Sequence, residues 1–263
     1  MKVLHSSLPF KVWLDPRLAR MPGILPLDPS DWLHVDEVYA QQMAERERLL
    51  GAQPNAVHAL LPGAQDAAAE LYEMVAERLP GLGFVADGRA WIRPDGKRVQ
   101  TSIEAPLLSL GHLAQEDFCI LQQGLDGHHV LTGAVLCFPA SWTLSEKIGK
   151  GLPGIHSPVQ SYDAKITTRV QRMFDAIRPE QPLWRANALD YSDPSLHQPR
   201  RADQAVRRDT EGGGYIRSER QSLLRLPRTR AVVFSIHTYI VRRDTLSDDE
   251  ELSFAAHRAG HQH

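Results

Sequence analysis

The stretch Val130–Phe138 constrains the fold more than any other part of the chain, because it is almost continuously apolar. A run of this kind, closed by Pro139, predicts a strand that is buried on both faces. The apolar run Phe118–Leu121 precedes it, and the Gly-containing segment 122–127 between the two predicts a β-hairpin. The rest of the chain must then cover both faces of the sheet that contains this hairpin.

Three segments have the three-to-four-residue apolar spacing of amphipathic helices, namely residues 35–50, 64–79 and 163–177. Two further strands are predicted at Tyr215–Leu226 and Ala231–Val241, joined by a turn that contains Pro227. Helices gathered early in the chain and antiparallel hairpins gathered later indicate the α+β class. No nucleotide-binding glycine motif follows a strand, so a nucleotide-binding fold has no support.

These elements predict one α+β domain over residues 1–263. Residues 1–100 are expected to be a mainly helical N-terminal part, and residues 101–243 the sheet core with helix 163–177. Residues 244–263 are acidic and then histidine-rich, and we expect a frayed tail there.

Charge and cysteine content narrow the class of protein. The net charge of -2 gives no bulk attraction to nucleic acid or to anionic membranes. No apolar window is long enough to span a bilayer, and the first ten residues lack the apolar core of a signal peptide. The two cysteines, Cys119 and Cys137, lie inside apolar runs and do not indicate a disulfide framework. We therefore expect a cytoplasmic protein.

His156 is the candidate metal ligand, because it lies in the proline-bounded segment Leu152–Val159. Pro153 and Pro158 lack amide donors and bias the residues before them towards extended conformations. The segment is therefore predicted to be a stiff, extended loop that presents one imidazole, which suits an axial ligand of haem iron. The alternative is a loop histidine in water.

Arginines near this region are candidates for binding haem propionates, since guanidinium groups match carboxylates in geometry. They are Arg185, Arg169 and Arg220. Glu219 and Asn187 are candidates for receiving a small cationic or hydrogen-bonding substrate. The two-residue period of a strand places Glu219 and Arg220 on opposite faces.

Two alternatives weaken these assignments. Glu219 could simply form an ion pair with Arg217 or Arg220 on a strand surface, which needs no function. His237 is a rival metal ligand, but a histidine on a regular strand beside Tyr239 is more often a packed or hydrogen-bonded group.

Short motifs resemble the haem-dependent oxidative N-demethylase family, in order along the chain. They are Gln115–Gln122, Leu131–Trp142, Glu146–Gly149, Ile155–Val159, Trp184–Asn187, Glu219–Leu223, Leu226–Thr229 and Thr238–Tyr239. Each motif is weak alone, and together they are specific.

The resemblance implies a haem b held in a PAS-like twisted antiparallel sheet flanked by helices. It also implies oxidation of a small secondary amine such as dimethylamine with O2, releasing formaldehyde. Electrons would come from a separate flavin and iron–sulfur reductase. By motif, His156 would be the axial ligand and Glu219 a polar wall of the substrate pocket.

The chain departs from the family pattern at three positions. Ala188 stands where Trp is frequent, Gln160 where Pro is frequent, and His197 where an aromatic residue is common. A missing Trp at 188 would reshape a substrate pocket, and His197 could provide a new polar contact in it. A haem-based sensor without turnover and a cofactor-free scaffold are the alternatives to an enzyme.

Overall fold

The computed structural model describes residues 3–19, 23–156, 164–204 and 213–260. Its strands are β1 (Leu25–Pro26), β2 (His58–Leu60), β3 (Val85–Asp87), β4 (Ala90–Ile92), β5 (Arg98–Gln100), β6 (Asp117–Gln123), β7 (His129–Val135), β8 (Leu183–Tyr191), β9 (Tyr215–Arg225) and β10 (Val232–Arg242). Its helices are α1 (Pro16–Ala19), α2 (Tyr39–Ala52), α3 (Pro54–Val57), α4 (Gln65–Ala76), α5 (Pro106–Gly111), α6 (Leu144–Lys147), α7 (Leu152–His156), α8 (Ala164–Ala176) and α9 (Asp248–Gly260).

Seven of these strands form one large antiparallel sheet in the order β1-β8-β9-β10-β6-β7-β2. The strands β3, β4 and β5 form a separate three-stranded antiparallel sheet. Helices cover the large sheet, so the predicted α+β class is confirmed. The predicted hairpin is β6 with β7, and the two last predicted strands are β9 and β10.

The pairing of β6 with β7 shifts by one residue between Ile120 and Leu121. This bulge turns Leu131 and Ala134 towards the same side of the sheet, although they are three positions apart. Strand β7 ends at Val135, before the predicted end at Phe138. The reason is that the amides of Cys137 and Phe138 donate to the carboxylate of Asp117, at 2.7 and 2.8 Å, instead of to a strand.

One side of the large sheet, here called the closed face, carries Phe118, Ile120, Val135 and Val233. Helices α2, α4 and α5 pack on it through buried side chains at helical spacing, such as Met43, Leu71 and Leu110. The N-terminal segment also crosses this face, where Trp32 is buried and donates from Nε1 to Ser235 Oγ at 3.1 Å.

The other side, here called the open face, carries Cys119, Leu121, Leu223 and Phe234, together with polar side chains further along β8 and β9. Helices α6, α7 and α8 pack over its apolar end. The C-terminal turn of α8 is fixed by Arg225, whose guanidinium donates to the carbonyl oxygens of Ile177 and Phe174. The predicted helix 163–177 is confirmed as α8.

The predicted frayed tail is wrong for residues 248–260, which form α9. Phe254 of this helix is fully buried, and its ring lies 4.8 Å from that of Trp13. Arg243 and Arg258 add ion pairs to Asp190. Burial of Phe254 and these ion pairs attach α9 to the rest of the protein.

Candidate functional site

The segment around His156 differs from the prediction. Leu152–His156 is the short helix α7 and not an extended loop. Pro153 is compatible with this helix because it lies in the first turn, where its missing amide donor is not needed. Leu152 and Ile155 pack with the apolar end of the open face. The side chain of His156 and residues 157–163 lie outside the described part of the structure, so the predicted iron ligation stays a prediction.

Glu219 lies on the open face, opposite Asn187 in the pairing of β9 with β8. Its carboxylate accepts hydrogen bonds from Asn187 Nδ2 at 3.2 Å, Gln221 Nε2 at 3.1 Å and Arg217 Nε at 3.2 Å. Its backbone amide donates to Asn187 Oδ1 at 2.9 Å. The structure therefore brings the two predicted substrate-contacting residues together, with Glu219 almost completely buried.

Arg217 connects this group to the surrounding loops. Its Nη1 donates to the carbonyl oxygen of Leu196 at 2.9 Å, and its Nη2 to that of Phe138 at 2.6 Å. The alternative interpretation of Glu219 as an ion-pair partner of Arg217 is thus also present in the geometry. The ion pair is buried, however, and it fixes the position of the Glu219 carboxylate at the edge of the open face.

Arg185 lies two positions before Asn187 on β8, and therefore on the same face, opposite Gln221. Its Nε atom is buried and has no hydrogen-bond partner among the residues that the structure describes. Burial lowers the pKa of this guanidinium, and the charge of Glu219 opposes that shift. A buried guanidinium nitrogen without an acceptor is uncommon, because it costs about 1–3 kcal/mol to leave unpaired. It can accommodate an anion.

The other two candidate arginines do not join this group. Arg169 is exposed on α8. Arg220 lies on the closed face, where its Nη2 donates to Asp31 Oδ2 at 2.7 Å. Its guanidinium also lies 4.9 Å from the ring centroid of Trp184. Arg220 already has an anionic partner, and its placement does not favour contact with a ligand on the open face.

Two of the three positions that depart from the family pattern, Ala188 and His197, lie in the described part of the structure. Ala188 is buried on the closed face in a cluster with Trp13 and Tyr239, so it does not line the face that carries Asn187. Nδ1 of His197 lies 2.8 Å from the carbonyl oxygen of Cys137. Gln160 lies outside the described residues.

Between the polar group and α8, the open face is apolar and incompletely covered. Phe234 lies in the middle of the central strand β10, yet it is only partly buried. Leu183, Met173 and Trp142 are also partly exposed there. An aromatic side chain in the centre of a sheet is normally covered by the next layer. This region can therefore accept a flat apolar ligand, beside the Glu219 carboxylate and the Arg185 guanidinium.

A second polar cluster lies on the closed face, and His237 is its one member that the sequence analysis considered as a metal ligand. His237 contacts Asp36 Oδ2 through Nε2 at 3.0 Å and Glu116 Oε1 through Nδ1 at 2.9 Å. His5 contacts the same Asp36 oxygen through Nε2 at 2.7 Å. His237, considered a possible ligand from sequence, is thus on the opposite side of the sheet from Glu219.

The histidines and carboxylates of this cluster balance one another's charges through direct hydrogen bonds. Burial opposes protonation of His237, but its hydrogen bonds to Asp36 and Glu116 outweigh burial and raise its pKa to about 9. Burial would likewise raise the pKa of Asp36 and of Glu116, but hydrogen bonds from the histidines lower both. His237 is therefore a buried imidazolium between two carboxylates at neutral pH.

Two further observations bear on the kind of protein. In the described ranges, no helix has the length and apolarity needed to cross a bilayer. A family model described as "Haem-dependent oxidative N-demethylase, alpha subunit-like" matches residues 23–260, which is nearly the whole chain.

Proposed function

This chain belongs to the haem-dependent oxidative N-demethylase, alpha subunit-like family, and on that premise we propose a specific substrate, cofactor and site for it. The enzyme holds haem b over the open face and removes a methyl group from a small secondary amine such as dimethylamine. Formaldehyde is released, and a separate flavin and iron–sulfur reductase supplies the electrons.

The observation that carries this proposal is the contrast within the open face. A partly exposed apolar surface around Phe234 lies beside Arg185, whose buried Nε has no acceptor in the described part of the chain. Haem has both an apolar ring and anionic propionates, so its chemistry fits both features. His156 ends α7, whose Leu152 and Ile155 pack with this face, and it is the proposed axial ligand.

Glu219 and Asn187 form the proposed substrate end of the site. Oε1 of Glu219 accepts one hydrogen bond, from Arg217, so that oxygen keeps a lone pair for an N–H of the amine. The carboxylate can also take the proton that an ammonium must lose before its nitrogen lone pair becomes available. Because Asn187, Gln221 and Arg217 hold the carboxylate, its position is fixed before the substrate arrives.

Bound haem would supply the iron chemistry with O2, which no side chain can provide. The overall reaction converts a methylamine R–NH–CH3, O2, two electrons and two protons into R–NH2, formaldehyde and water. Arg217, Asn187 and Gln221 position Glu219, and the apolar surface near Phe234 excludes water from the reacting methyl group.

The same proposal covers the finer features of architecture and location. The five strands β8-β9-β10-β6-β7 form a continuous antiparallel sheet with helices on both sides, which supports a PAS-like domain over residues 1–263. Cys119 and Cys137 are buried free thiols, which suits a reducing compartment such as the cytoplasm.

The test is a formaldehyde assay on the haem-loaded chain with dimethylamine, O2 and a surrogate reductase. We expect formaldehyde in proportion to the dimethylamine consumed, and none when the amine is omitted. Absence of formaldehyde, with haem bound and reduced by the reductase, would contradict the proposed reaction. Trimethylamine and a primary methylamine, tested in parallel, define the amine class.

A further inference from the structure

The closed-face cluster has the geometry of a metal site. One ligand atom each from His5, Asp36 and His237 lies within 4.8 Å of the other two. Both histidine Nε2 atoms point at the same oxygen, Asp36 Oδ2, at 2.7 and 3.0 Å. From these contacts we propose that His5, Asp36 and His237 bind one divalent transition-metal ion of the zinc type, on the side of the sheet opposite Glu219.

Each ligand is held by an outer contact of the kind that metal ligands need. His237 Nδ1 lies 2.9 Å from Glu116 Oε1, and His5 Nδ1 lies 3.3 Å from the carbonyl oxygen and 3.2 Å from the amide nitrogen of Ile240. In the tautomers that donate Nδ1–H to Glu116 and to the Ile240 carbonyl oxygen, both Nε2 atoms can bind a metal ion. A metal-bound histidine almost always donates its other N–H to a carboxylate or a backbone carbonyl in this way.

The carboxylate is held as firmly as the rings. Asp36 Oδ1 accepts from the amide of Val38 at 3.0 Å and from Gln115 Nε2 at 2.8 Å. Oδ2 is thereby left for the histidines or for a metal ion. Gln115 in turn donates to Gln42 Oε1 at 3.2 Å, which extends the support to α2.

Two imidazole nitrogens and one carboxylate oxygen match the three protein ligands of an open zinc site, where water takes the fourth position. Ligand atoms around tetrahedral zinc lie about 3.3 Å apart, since each is about 2.0–2.1 Å from the metal. The distances of 2.7 and 3.0 Å therefore need to increase by about 0.6 and 0.3 Å. The Asp36 side chain is 18% exposed, so water and the ion can reach the site.

A bound metal ion would take the place of the protons through which His5 and His237 contact Asp36. One carboxylate oxygen contacts two imidazoles, and Glu116 Oε2 is buried with no hydrogen-bond partner within the described ranges. A divalent cation supplies positive charge to two buried carboxylates without requiring a second imidazolium. The ion would also join the N-terminal segment at His5 to α2 through Asp36 and to the central strand at His237.

The test is zinc binding to the full chain after treatment with a chelator, measured by calorimetry and by zinc content per chain. The wild-type protein and a His128→Gln variant, which changes an exposed histidine in the β6–β7 turn, should each bind one Zn²⁺ at the site. His5→Gln and Asp36→Asn should each weaken that binding more than about tenfold, because each removes a ligand. Glu116→Gln should weaken it about 10–100-fold through His237 alone.

Thermal unfolding gives a second measurement that does not depend on haem or on activity. Added zinc should raise the unfolding temperature of the wild-type protein and of His128→Gln, but not that of His5→Gln or Asp36→Asn. Two outcomes would overturn the proposal. One is that the wild-type chain binds no more zinc than His5→Gln and Asp36→Asn. The other is that zinc leaves the unfolding temperature of the wild-type chain unchanged.

Discussion

The two faces of the large sheet differ in how their buried polar groups are paired. On the closed face, the His237 ring has a partner on each nitrogen, and Arg220 is paired with Asp31. On the open face, Arg185 Nε has no partner among the described residues, and Phe234 is partly exposed in the central strand. The polar groups of the closed face pair mainly with one another, whereas the open face has an unpaired guanidinium nitrogen beside an incompletely covered apolar surface. This difference supports the proposed haem site on the open face.

The largest expected effect is on haem retention. His156→Ala should weaken haem affinity more than about 100-fold, because it removes the proposed bond from the chain to iron. His128→Ala, in the exposed hairpin turn, should keep the wild-type affinity. The measurement is the intensity of the Soret band after haem addition and gel filtration. Full haem loading of His156→Ala would show that His156 is not the axial ligand of a haem on the open face.

Stability should differ between two phenylalanines of the same sheet. Phe118 is fully buried on the closed face with its ring 6.3 Å from that of Trp32, so Phe118→Ala should cost about 3–5 kcal/mol. Phe234→Ala on the open face should cost about 1–2 kcal/mol, because part of that side chain is already in water. Urea unfolding of the haem-free proteins gives both free energies. Equal losses would mean that the open face is as well packed as the closed one.

Activity should depend on the Glu219 charge. Glu219→Gln removes a charged acceptor worth about 1.5–3 kcal/mol, so kcat/KM for dimethylamine should fall about 10–100-fold. Haem binding should be unchanged, and the amine-induced shift of the haem spectrum should be lost. Glu73→Gln, which alters an exposed ion pair with Arg228, is the matched control. An unchanged amine titration in Glu219→Gln would remove Glu219 from the site.

The smallest expected effect is that of Arg185 on haem affinity. Arg185→Gln should weaken haem affinity about tenfold, which corresponds to roughly 1.4 kcal/mol for one charged contact. Arg169→Gln, on the exposed surface of α8, should have no effect. Haem titration of the two variants measures this difference. If both variants bind haem equally well, the Nε of Arg185 does not bind a haem propionate.

The sequence predicted which face of a strand a side chain occupies better than it predicted which residues lie opposite each other on paired strands. The two-residue period correctly separated Glu219 from Arg220, because alternation is a local property of a strand. The register that sets Asn187 opposite Glu219 depends on pairing between distant segments, and no local pattern encodes it.

Two parts of the molecule could not be predicted for physical reasons. His5 and Asp36 meet His237 because the N-terminal segment crosses the closed face, and Glu116 meets it because β6 pairs with β10. The spacing of these residues in the sequence has no recognisable period. The segment before His156 was expected to be extended because of its prolines. Proline is equally compatible with the first turn of a helix, and the packing of Leu152 and Ile155 onto the open face supports the helix.

The central claim is that haem occupies the open face, and haem titration of two leucine variants tests it most directly. Leu183 and Leu189 lie on the same face of β8, but Leu183 packs at the apolar end and Leu189 is 48% exposed beyond the polar group. Leu183→Trp fills the apolar surface and should abolish the Soret band, whereas Leu189→Trp and the wild-type chain should each bind one haem. Equal haem binding by the two variants, or no Soret band in the wild-type chain, would contradict the account.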